Sequence, residues 1–185
     1  MSGYRKPRKA LLILDIQEDF TGSKARMPVD RIQAESMIEN VNMISVEARR
    51  KDIEVIYIKN GFPGYDVVGN VIRRHAAMRN SPGCAFDKRL MVINENIFSK
   101  CLPDAFSNRA FEMFLMNEEI NELYMTGVFA ERCVLSTARG ALKRGFIVHV
   151  IRDAVASATM AAVERAALKL EKLGASILDT AMVVS

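Results

Sequence analysis

Three side chains of this 185-residue chain have the types and positions that nucleophilic chemistry needs: Asp15, Lys100 and Cys133. Asp15 closes an apolar run (ALLILDI), where a carboxylate loses hydration and its pKa rises unless a cation or a donor compensates. It can serve there as a base, or simply as the cap of a loop. Lys100 follows the third apolar run. Alone it reads as a solvated charge; beside Asp15 it would keep the carboxylate ionised and lower the pKa of a neighbouring thiol. Cys133 ends Gly127-Val128-Phe129-Ala130-Glu131-Arg132-Cys133 and is expected at the start of a helix. Unpaired backbone N–H groups and the helix dipole favour a thiolate at such a place. The plain alternative is a small buried hydrophobe. Cys84, in the loop Ser81-Pro82-Gly83, and Cys101, beside Lys100, have no comparable position.

The elements that must position these groups alternate along the chain. Strands are expected at Ala10–Ile16, Ile53–Ile58, within Leu90–Phe98 with its end near Ile97, and at Glu122–Thr126, Phe146–Ile151 and Ala175–Leu178, each a short apolar or β-branched run. Helices are expected at Val29–Arg50, Val71–Met78, Ser107–Met116, Arg132–Arg144 and Thr159–Leu173. Pro28 stands near the start of the first, with Ile32, Ile38, Val41 and Ile44 as its inward stripe. In the third helix Ala110, Phe111, Phe114 and Leu115 should face inward. Gly145 and Gly174 close the last two. Residues 60 to 69, with three glycines and Pro63, read as a loop. Strict alternation calls for an α/β fold, a parallel sheet covered by helices on both faces. Sites in such folds lie beyond the carboxyl ends of the strands. A carboxylate, an ammonium and a thiol beyond three strands of one sheet are what covalent catalysis requires.

Composition narrows the classes. Half of the residues are hydrophobic and 26% charged, as in an ordinary soluble globular domain. Residues 10–185 are expected to form one domain behind a basic tail, 1–9. The net charge of +4 comes from that tail, where Arg5, Lys6, Arg8 and Lys9 meet no acid; beyond it 22 basic residues balance 22 acidic ones. No basic face for nucleic acid is therefore expected. No apolar run is long enough to span a bilayer, and Asp15 interrupts the first one too early for a secretory leader. The cytoplasm is the expected location. Three scattered cysteines suggest neither a disulfide framework nor a metal knuckle.

The chain resembles the isochorismatase-like superfamily of cysteine hydrolases, which includes nicotinamidases, N-carbamoylsarcosine amidases and ureidoacrylate amidases. LDIQEDF resembles the first-strand motif with its catalytic acid, here Asp15. KCLPDAF resembles the stretch that carries the catalytic lysine, here Lys100. TGVFAERCVLSTARGALKRGF resembles the nucleophile motif and places the thiol at Cys133, and IRDAVAS further downstream also fits. The resemblance runs from about Ala10 to the end. It implies a three-layer α/β/α fold around a mostly parallel, six-stranded Rossmann-like sheet, with no cofactor and a homo-oligomeric state. It further implies a cis peptide at Val128–Phe129 and an oxyanion hole made by the backbone N–H groups of Phe129 and Cys133. The implied substrate is a small amide or related acyl compound, with an enol ether of the isochorismate type as an alternative.

One departure bears on the substrate. Nicotinamidases of this superfamily carry an Asp-x-His…His metal site after the second strand, whereas this chain has Lys59-Asn60-Gly61-Phe62 there and only two histidines, His75 and His149. No metal site of that type is expected, which argues against nicotinamide. Phe20, Phe62 and Phe129 flank the motifs and are candidates for an apolar pocket wall; Phe106 reads as core. Arg73, Arg74 and Arg79 can pair with a substrate carboxylate or form a wet helix face.

Two further readings compete. Cys133 and Arg139 satisfy Cys-x5-Arg, the spacing of thiol phosphatases, but no glycine lies between them to wrap a phosphate. A non-catalytic scaffold is the other. It predicts that Cys133 reacts with iodoacetamide no faster than Cys84 and Cys101.

Overall fold

A computed structural model describes residues 8–184. The elements run β1 (Arg8–Leu14), α1 (Glu18–Thr21), α2 (Arg31–Arg50), β2 (Glu54–Asn60), α3 (Val67–Ile72), β3 (Ile97–Lys100), α4 (Arg109–Asn117), β4 (Ile120–Val128), α5 (Leu135–Lys143), β5 (Ile147–Ala156), α6 (Met160–Lys172), β6 (Ser176–Leu178) and α7 (Thr180–Val184). Among the described residues the six strands are all parallel, in the order β3-β2-β1-β4-β5-β6. Two cores sandwich this sheet. One packs α4, α5 and α6 through Phe111, Leu115, Ala138, Ala141, Val163 and Leu170. The other packs α2 through Met37, Ile38, Val41 and Ile44. The chain winds one way from β1 through β2 to β3 and the other way from β4 to β6. The direction of winding therefore changes between β1 and β4, where the strand ends open a crevice.

β1 is apolar throughout its interior because neighbours on both sides and both faces exclude water; Leu11 to Leu14 are at most 1% exposed. α2 starts at Asp30, whose side chain accepts from the Gln33 N–H, and buries Ala34, Met37, Ile38, Val41, Ile44, Ser45 and Ala48.

Several sequence expectations need correction. Ile32 was expected in the α2 stripe, but it is 78% exposed, one residue into the helix and on the far side from the sheet. Ala110 is likewise exposed on α4, although Phe111 and Leu115 are buried. The third strand, expected to end near Ile97, instead begins there and runs to Lys100, because Asn94 accepts from the Asn96 N–H and such a side-chain turn competes with the sheet ladder. The second helix lies earlier than Val71–Met78: Asp66 caps Gly69, and Arg74, His75 and Ala77 adopt left-handed backbone that stops it. Arg8 and Lys9, expected in the tail, are strand residues paired with Glu118 and Glu122. Arg5 and Lys6 lie outside the described residues. Among the described residues no helix is long and apolar enough to cross a membrane.

Candidate active site

β1 stops at Leu14, and Asp15 turns away with φ 57° while its N–H still donates to the Ile58 carbonyl (2.8 Å). Left-handed backbone is uncommon outside glycine, and aspartate tolerates it better than most. This bend aims the carboxylate across the strand ends. β3 ends on Lys100, opposite Asn60 at the end of β2. β4 carries on to Val128, and the peptide from Val128 to Phe129 is cis. The chain then makes one π-helical turn, Ala130–Val134, in which the Phe129 carbonyl accepts from both Arg132 and Val134 (3.0 and 3.2 Å). Cys133 sits in that turn, two residues ahead of α5, where a plain helix start was expected.

The three groups singled out in the sequence converge. Lys100 Nζ donates to Asp15 Oδ2 (2.8 Å) and stands 3.3 Å from Cys133 Sγ. Both side chains of the ion pair are fully buried. Asp15 Oδ1 is buried without a hydrogen-bond partner.

Burial pushes the Cys133 thiol up to about 12, with the charge of Asp15 adding to the effect and Lys100 opposing it. A thiolate at rest was expected; instead the ammonium is outweighed by desolvation and by the carboxylate. Burial works to lower Lys100, yet the charge of Asp15 and the hydrogen bonds to Asp15 and Cys133 win and leave its ammonium held above the ordinary lysine value.

A cavity of about 460 Å³ opens onto Cys133, walled by Phe20, Met27, Phe62, Leu102 and Phe129. Phe20 and Phe129 meet edge to face, with ring centroids 5.5 Å apart. Phe62 carries the guanidinium of Arg73 over its ring at 3.9 Å, and Arg73 is tied in turn to Asp66 and Asn70. Of the three arginines considered, Arg73 lines the cavity while Arg74 and Arg79 do not. Phe106 belongs to the core under α4, as its reading as core implied. Arg139 is exposed on α5, so Cys133 and Arg139 form no phosphate loop.

Asn60 was not singled out. Its Oδ1 accepts from Lys100 (2.9 Å), and its Nδ2 lies 3.9 Å from Cys133 Sγ. Gln17, also buried, holds the Asn60 main chain. The rule of examining strand ends would have found Asn60, because it closes β2 as Asp15 follows β1 and Lys100 closes β3.

The residues after β2 do not suit a metal of the Asp-x-His type. Asn60 is engaged by an ammonium and Phe62 by a guanidinium, and among the described residues no three His, Cys, Asp or Glu side chains cluster as ligands.

Residues 9–182 match the family model described as the isochorismatase domain. The chain is similar to an isochorismatase-like hydrolase from Alkaliphilus metalliredigens, with 25% identity, a TM-score of 0.88, and coverage of 96% of this chain and 97% of that one. It is similar to the pyrazinamidase of Pyrococcus horikoshii, solved in complex with zinc, with 26% identity, a TM-score of 0.83 and coverage of 94% and 99%. It also resembles the N-carbamoylsarcosine amidase of an Arthrobacter species, 25% identical over 158 residues, which are 80% of this chain and 59% of that protein.

Proposed function

Since the chain belongs to the isochorismatase family of hydrolases, we propose that it is a cysteine hydrolase that cleaves a small amide through a thioester. The observation that carries this reading is one buried ammonium touching both a carboxylate and a thiol, the thiol lining a cavity.

Cys133 is the nucleophile, Asp15 the base and Lys100 the electrostatic support. The thiol holds its proton at rest, so the attacking thiolate forms only as Asp15 takes that proton, with Lys100 beside both anions. Sulfur attacks the amide carbon, and the C–N bond breaks as Asp15 returns the proton to the leaving nitrogen. A water molecule, deprotonated by Asp15, then cleaves the thioester and frees the acid and the thiol. The backbone N–H groups of Phe129 and Cys133 hold the oxyanion. Because the carboxylate, ammonium and thiol share their protons, pH–rate curves report the group as a whole. The relatives named as amidases support an amide as the scissile bond.

Replacing Cys133 with Ala is expected to abolish ammonia or amine release across a panel of small amides, with the circular dichroism spectrum unchanged. Turnover by that variant at the wild-type rate would overturn the assignment.

A further inference from the structure

Asn60 is 3% exposed and closes β2 beside the ion pair. An ammonium has three protons to donate. Those of Lys100 meet Asp15 Oδ2 at 2.8 Å, Asn60 Oδ1 at 2.9 Å and Cys133 Sγ at 3.3 Å, so the carboxamide completes the shell of a fully buried cation. This contact also settles which half of the carboxamide faces which neighbour. The oxygen must face the ammonium, which leaves the Nδ2 donor towards the sulfur, 3.9 Å away.

The main chain at Asn60 is held unusually firmly. Gln17 accepts from the Asn60 N–H (2.8 Å) and donates to its carbonyl (2.9 Å), and the Cys84 thiol donates to the same carbonyl (3.2 Å). Gln17 also donates to the Cys84 carbonyl (2.8 Å), which ties the 81–84 loop to the end of β2. A side chain fixed to this degree can do what a carboxylate in its place cannot. It offers an acceptor to the cation and a donor to the sulfur while adding no charge that would repel a thiolate.

We propose that Asn60 is a positioning residue for this site: it holds the Lys100 ammonium between Asp15 and Cys133, and its N–H steadies the sulfur as charge develops there. The inference rests on the reading of Cys133 as the nucleophile.

The test needs no substrate. Wild type, Asn60→Leu and Asn60→Asp are treated with iodoacetamide between pH 7 and 9.5, and alkylation of each cysteine is followed by peptide mass. Leucine fills nearly the same space, so a packing role alone would leave the rate at Cys133 unchanged. The proposal expects Cys133 to react at least about tenfold more slowly at every pH in this variant, the loss of a hydrogen bond to a charged group. Exposed Cys101 serves as the internal reference and should react at the wild-type rate. Asn60→Asp keeps the shape and the contact to Lys100 and should be slowed at least as much, so it decides the matter if the leucine variant does not fold. Wild-type alkylation rates and pH profile at Cys133 in the folded variants would overturn the proposal. That result alongside an inactive Cys133→Ala would sink only the role of Asn60, whereas an active Cys133→Ala would sink the nucleophile assignment itself.

Discussion

Cys133 holds its proton more tightly in the folded chain than an ordinary thiol does, and that difference must appear in stability. Its proton is kept up to about pH 12, whereas in the unfolded chain it leaves near 9. The folded state therefore binds more protons over this window, and stability must fall as pH rises. The contribution is complete below pH 9 and drains away between 9 and about 12. Lys100, also raised, adds a loss of the same sign from its ordinary value of 10.5 upward. The urea midpoint should thus fall between pH 8 and 10.5, and Cys133→Ala should show a shallower fall, with the buried Cys84 thiol, also raised, still contributing from near pH 9. An equal fall in both proteins would contradict the buried, protonated thiol. That Asp15, Lys100 and Cys133 come together was legible because the first two follow apolar runs, where a charge is conspicuous, and Cys133 stands between a strand and a helix of the same sheet. The state of the thiol was not, since it depends on how completely the fold excludes water. Asn60 escaped notice because an uncharged amide before a glycine-rich stretch looks like loop chemistry.

At the scale of elements, the site depends on how closely β1 and β4 approach. Gly127 faces Leu14 across that pair, with φ +105°, and a Cβ built there would lie 2.0 Å from the Leu14 carbonyl oxygen. Neither backbone can yield without moving Asp15, the next residue after Leu14, or the Val128–Phe129 peptide that leads into the Cys133 turn. Gly127→Ala should therefore cost at least about 3 kcal/mol, combining strained backbone with overpacking. A urea titration would check this, and a loss under about 0.5 kcal/mol, the range of ordinary surface changes, would refute the close approach. The alternation of strands and helices could be read from the sequence because buried parallel strands are continuously apolar and the long helices carry clear stripes. Boundaries were read less well where side chains compete with the backbone. Asn94 cut β3 short, and Asp66 moved α3 forward. The π-turn before α5 leaves no mark in hydrophobic spacing, because it spans only Ala130–Val134.

At the scale of the whole molecule, an ion pair with both side chains at 0% exposure sits where the winding of the sheet changes direction. Folding must strip water from both charges, and their attraction offsets that penalty only in part. Removing one partner is worse, because it leaves the other charge buried alone. Lys100→Met should lose about 3–5 kcal/mol and all turnover. Removing both charges should be far milder. The double variant Asp15→Asn/Lys100→Met is expected within about 1 kcal/mol of wild type, or above it, because an uncharged replacement of a buried pair is often neutral or stabilising. It should be as inactive as the single variant. Thermal and urea unfolding of the four proteins in this cycle measure the coupling directly. If the double variant were less stable than Lys100→Met, the pair would be holding the sheet together rather than being carried by it. The reading of these residues as chemistry placed in a fold able to stand without them would then fail.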